Sequence, residues 1–154
     1  MSEQVLVSPH INDALGYLQA RMGVLNDMAE NLCKQHFDFV MAENKKKTWA
    51  EKSVLYAQPR ARDNTLAVVW FVVRWYGSKA ANTRRMQKKV IIKPKNKHGY
   101  TTATLVNKAR HWEADMVIEV EQELIPIRRE AALLAKAIGQ LNQIIKAAKT
   151  GKSR

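Results

Sequence analysis

Apolar positions along the chain change period twice, from 3.5 to 2 and back again, and this switching sets the predicted architecture. Ser8-Pro9 reads as an N-cap followed by proline at the first helical position, where its missing N–H costs nothing. After it, Ile11, Leu15, Leu18, Met22, Leu25, Ala29, Leu32 and His36 recur at steps of four and three, and Phe37, Phe39 and Val40 close the run. That seam predicts a helix over about residues 9–43, roughly 50 Å long at 1.5 Å per residue. The same spacing returns through Leu105, Ala109, Trp112, Met116, Val120, Leu124, Ile127, Ala131, Leu134, Ile138, Leu141, Ile145 and Ala148. It predicts a second helix over about residues 102–148. Two extra four-steps after Met116 form a stutter. Pro126 displaces the carbonyl of Gln122, so a bend or break is expected there.

Between the seams the period is 2. Leu66–Tyr76 is dense in β-branched and aromatic residues, and Met86–Ile92 makes a second, more basic strand. Gly77–Thr83 carries turn residues at both ends, so the two strands predict an antiparallel hairpin. Ser53–Ala57, stopped by Pro59, adds a third short strand. Both faces of Leu66–Tyr76 are apolar, which predicts a central strand covered on much of each side. The expected fold is α+β. Two long antiparallel, coiled-coil-like helices flank a central two- or three-stranded antiparallel sheet in one domain over residues 1–148, with the basic β-region at about 53–94 and a basic tail at 149–154. The pattern leaves open whether the seams pair within one chain or across a homodimer.

Charge changes this picture most. The chain has 154 residues and a net charge of +12, and its middle carries all of it: residues 45–97 hold fifteen Lys and Arg against Glu51 and Asp63. A field so concentrated attracts polyanions, and a phosphate backbone is the polyanion a protein most often meets. On the second strand Arg84, Met86, Lys88, Val90 and Ile92 share one face, and Arg85, Gln87, Lys89, Ile91 and Lys93 the other. The latter is expected to face outward. Arg74, Lys79 at the turn, and Lys95 and Lys97 after the strand extend a basic edge of the kind a duplex accepts. Arg60 and Arg62, in a loop beside Pro59, lean toward phosphate contact. Trp75 and Tyr76 flank the turn and are candidates for stacking on an exposed base. Plainer accounts exist for some of these residues: lysines on an edge strand prevent unwanted pairing, and Lys45, Lys46 and Lys47 suit the end of a helix dipole.

Other chemistry is poorly supported. Glu113, Asp115, Glu119, Glu121 and Glu123 crowd one helix, and Asp115, Glu119 and Glu123 share a face. A catalytic metal site draws ligands from several elements, so this stripe reads as a solvated face or one pairing with Arg128, Arg129 or the basic middle. His10, His36, His98 and His111 have no metal-ligand spacing. Cys33 lies within a predicted helix and reads as a small, partly buried residue; a single cysteine fits a reducing compartment. There is no Walker loop, G-x-G-x-x-G, H-E-x-x-H or G-x-S-x-G, so no enzyme, cofactor or metal is predicted. No apolar run approaches the roughly 20 residues that cross a bilayer, and no signal-peptide pattern opens the chain; a cytoplasmic protein is expected.

With its size, its helix–basic hairpin–helix layout, the Val- and Trp-rich strand Ala67–Gly77 and the basic stretch Arg84–Lys93, the chain resembles the MobI-type mobilisation proteins of conjugative elements. The resemblance implies a cytoplasmic, non-enzymatic bacterial protein that recognises double-stranded DNA at an origin of transfer and helps a relaxase nick it. Two other classes stay open at this level: an adaptor that binds a protein partner through its helices, and an RNA- or ribosome-binding protein, since charge alone does not separate RNA from DNA.

Overall fold

Ser8 opens the first helix as its position requires. Its side-chain oxygen accepts the His10 N–H at 3.1 Å and Pro9 follows. The computed structural model describes residues 7–150. In chain order these form α1 (Pro9–Asn44), β1 (Leu55–Arg62), β2 (Thr65–Tyr76), β3 (Arg85–Val90), α2 (Thr102–Lys108) and α3 (Ala114–Lys149), with single 3-10 turns at Trp49–Glu51 and His111–Glu113. The predicted tail beyond Thr150 lies outside the described residues.

The sheet is antiparallel in the order β1-β2-β3. The predicted hairpin is present, with Tyr76 opposite Arg85 and Phe71 opposite Val90. β1 departs from expectation because it runs straight through Pro59, which puts Arg60 and Arg62 on a strand and not in a loop. The reason is register. Val73 donates to the Val54 carbonyl at 2.8 Å, and hydrogen-bonded pairs alternate along an antiparallel ladder. The Pro59↔Val68 pair therefore falls at a non-bonded position on an edge strand, where no N–H is missed. The turn to β2 places Asn64 at φ 62°, a conformation Asn tolerates, and the Asn64 side chain accepts a hydrogen bond from Gln19 of α1 at 3.1 Å.

α1 and α3 run antiparallel: Arg21 pairs with Glu130, Gln35 reaches Met116, and Phe39 lies 6.2 Å from Trp112. Both helices lie on one face of the sheet, since the buried Trp70 ring meets His36 of α1 at 5.2 Å and Glu121 of α3 at 2.9 Å. They do not bracket it. Met22, Leu25 and Ala29 of the first seam and Val120, Leu124 and Ile127 of the second share one core with Leu55, Val68 and Trp70 of the sheet.

The second predicted helix breaks elsewhere than expected. α3 continues past Pro126, which is exposed, so the carbonyl its ring displaces faces water. The interruption falls at Ala109 and Arg110, both extended (ψ 152° and 150°). There the Glu113 carboxylate accepts the Arg110 N–H at 3.1 Å, starting a new helix and leaving α2 as a separate short segment.

Candidate nucleic-acid interface

Strand register sorts the predicted cations by face, because residues opposite one another project to the same side. The helix-covered face carries Trp70 and Val72 and, through the pairing, Ile91, Lys89, Gln87, Arg74 and Arg85. The other face carries Gln58, Arg60 and Arg62 of β1, Phe71, Val73 and Trp75 of β2, and Met86, Lys88 and Val90 of β3. The expectation that Arg85, Gln87, Lys89 and Ile91 point away from the core is thus reversed: Ile91 is buried in the core beside Trp70. The cations escape burial because the helices do not reach this end of β3, which is exposed over its whole length.

The cations also divide along β2. Arg60 lies opposite Ala67, and Arg85 opposite Tyr76. Nine residues at about 3.3 Å each separate these points by roughly 30 Å. One group, Arg74, Lys79, Arg84, Arg85, Lys88 and Lys89, gathers around the β2–β3 turn. Arg60 and Arg62 sit at the far end. Lys93, Lys95 and Lys97 lie in the loop after β3, where Asn96 has φ 61° and the Lys93 ammonium donates to the carbonyl of Lys97.

The β2–β3 turn is fastened locally. Ser78 N–H donates to the Thr83 hydroxyl and Thr83 N–H to the Ser78 carbonyl, both at 3.0 Å. Gly77 sits at φ 79°, where an added Cβ would lie 2.2 Å from the Thr83 oxygen. Immediately after this turn, the Arg84 guanidinium lies 4.7 Å from the Trp75 ring centre and 4.9 Å from that of Trp49. Lys88 crosses the open face over Phe71 at 4.9 Å toward Gln58. Tyr76 donates to Gln87 at 2.5 Å beneath Arg74.

On the helix side, a groove of about 670 Å³ between β3 and α2 is lined by Arg74, Lys89 and Lys108, with Gln87, Thr104 and Ile92 among its walls. Lys108 and Trp49 are additions that sequence reasoning missed: each lies outside the basic strands and is brought to them only by the fold. Lys46 pairs with Glu43 at 3.6 Å and Lys47 covers Trp112 at 5.4 Å; the run lies just beyond the last turn of α1, which holds no basic residue.

The acidic residues divide as well. Asp115, Glu119 and Glu123 are exposed, whereas Glu121 and Glu113 are buried, so the solvated face holds for the first three and the expected pairing with Arg128 holds for Glu121. Glu121 accepts from Trp70 at 2.9 Å, from the Tyr100 N–H at 2.8 Å, and from Arg128 in a two-pronged pair at 2.8 and 2.9 Å. Arg128 also donates to the carbonyls of Val68 and His98, each at 3.0 Å. This knot fixes α3 to β2 and to the loop that follows β3. Glu113 likewise meets the buried His36 ring at 3.0 Å. Burial pushes the Cys33 thiol up to about 12, a poor setting for a nucleophile. No helix among the described residues is long and apolar enough to cross a membrane.

The model of the MobI protein family covers residues 25–142, from within α1 to near the end of α3. No curated protein and no solved structure matches the chain. Because the match takes in well over half of the sequence, including the whole sheet and its basic turn, the chain belongs to the MobI family of mobilisation proteins.

Proposed function

We propose that this chain is a DNA-binding accessory factor of conjugation that recognises the origin of transfer and assists the relaxase there. The observation that carries the reading is the cluster of Arg74, Lys79, Arg84, Arg85, Lys88 and Lys89 around one exposed β-turn with no acidic residue on either strand of that hairpin. Family membership supplies the setting, a role in mobilisation. Phosphate contacts by these cations supply most of the affinity, while Arg84 or Arg85 reading a guanine edge supplies sequence preference. Arg60 and Arg62, roughly 30 Å away along β2, match the spacing of one turn of duplex, about 34 Å. A duplex laid along the open face of the sheet therefore meets Arg60 and Arg62 at one end and Arg84 and Lys88 at the other. Pairing of two copies would present two such turns to a repeated site.

The test is fluorescence anisotropy with a duplex from the host element's transfer origin, a scrambled duplex and a structured RNA, at 50 and 200 mM salt. The reading predicts preference for the origin duplex that survives the higher salt. Equal binding to all three, erased by salt, would show a nonspecific polyanion grip. Tighter binding to the RNA would move the chain to the RNA-binding class.

A further inference from the structure

Two exposed tryptophans, Trp49 and Trp75, both lie against one arginine, Arg84, at the edge of the basic turn. The connector bearing Trp49 is pinned from behind: Trp112 donates to the Glu51 carbonyl at 2.9 Å, Arg110 to the Lys52 carbonyl at 2.9 Å, and Ser53 N–H to the Asn44 side chain at 3.0 Å. The Trp49 ring nevertheless projects outward and is 62% exposed. Trp75, 47% exposed, faces the same guanidinium from β2. The open Trp49 ring carries two cations, Arg84 at 4.9 Å and Lys52 at 5.7 Å from its centre. The adjoining recess, about 430 Å³, is lined by Trp49, Trp75, Lys52, Arg74 and Arg110 and by no carboxylate.

We infer that Trp49 and Trp75 form a stacking slot for one unpaired base of single-stranded DNA, which Arg84 fills in the free protein and leaves when a strand arrives. The proposal rests on the DNA reading above and deepens it: the preferred substrate is a duplex that is locally open. A guanidinium stacks on aromatic faces, and so does a base, since every base has a π-face, so a base can take the place of Arg84 against these rings. When a base enters, Arg84 is freed to pair with a neighbouring phosphate, and Lys52 lies beside the path of the strand. Base–aromatic stacking is tolerant of sequence. The slot therefore adds affinity for open DNA without adding a sequence code.

The experiment compares a fully paired duplex with the same duplex carrying four unpaired thymines, using the full-length chain and its Trp49→Ala and Trp49→Phe variants, read by anisotropy and by tryptophan fluorescence. The slot predicts that the open duplex binds about 5- to 150-fold more tightly than the paired one, the range of one stacked base, and that it quenches tryptophan emission. Trp49→Ala should remove this preference, so that the two duplexes bind alike, and Trp49→Phe should restore part of it. A preference that survives Trp49→Ala, or equal binding of both duplexes by the unmodified chain, overturns the slot and leaves the duplex reading standing. Failure to bind either duplex overturns both. Stronger binding to RNA with the same unpaired loop overturns the assignment to DNA.

Discussion

Glu121 shows how far one buried charge can organise this chain. Its two oxygens take four donors from three segments, so removing the opposing cation leaves a carboxylate out of water with half its partners gone. Arg128→Met is expected to lower stability by about 3–5 kcal/mol, measured as a shift of the urea midpoint at unchanged slope. A second prediction concerns alkaline pH. Burial raises the Cys33 thiol from 9.0 to about 12 and raises the Tyr100 and Tyr56 phenols as well. Groups with raised folded values contribute fully below their unfolded values and lose that contribution as pH rises through the folded ones. Stability should thus decline between pH 9.0 and about 12, and Cys33→Ala should flatten the early part of that decline, whatever its effect at neutral pH. Little of this was legible beforehand. Pairing with Arg128 was among the readings of the acidic run, but a Glu amid four other acids gives no sign of burial, so its place in the core was not.

At the level of elements, periodicity identified the helices, each with one face that must be buried, and the β2–β3 hairpin was legible from the dense apolar run of β2 and the turn residues of Gly77–Thr83. It failed where single residues overrode the pattern. Pro59 reads as a stop until the ladder register shows that its nitrogen has no bond to lose, and the extension of β1 is what carries Arg60 and Arg62 onto the sheet. The break at Ala109–Arg110 had no Gly or Pro to announce it; it depends on the Glu113 carboxylate capping the Arg110 N–H. Pro126, by contrast, announced a break that its solvent-facing position makes unnecessary. Because the helix already continues through that point, Pro126→Ala should regain about 1–3 kcal/mol of the roughly 3 kcal/mol that proline costs in a helix interior, seen as a higher melting temperature. An unchanged melting temperature would mean that the helix has already adapted to the ring.

Across the whole molecule, the basic middle of the sequence was legible as an excess of charge but not as a surface. The fold divides it into a cluster at the β2–β3 turn, a pair of arginines roughly 30 Å along the sheet and a lysine loop after β3, brings Trp49 against the turn, and recruits Lys108 from α2. The helices hold this arrangement on one side only, leaving β3 and its turn in water. The central claim is that the turn cluster grips DNA phosphates, and the slope of binding against salt tests it most directly. Each phosphate contact contributes about 0.9 to the slope of log K against log salt. The variant with Arg84, Arg85, Lys88 and Lys89 all changed to Ala should therefore give a slope shallower by about 3–4 at unchanged far-ultraviolet circular dichroism. A slope equal to that of the unmodified chain would contradict the account and place the DNA-binding surface, if there is one, elsewhere on the molecule.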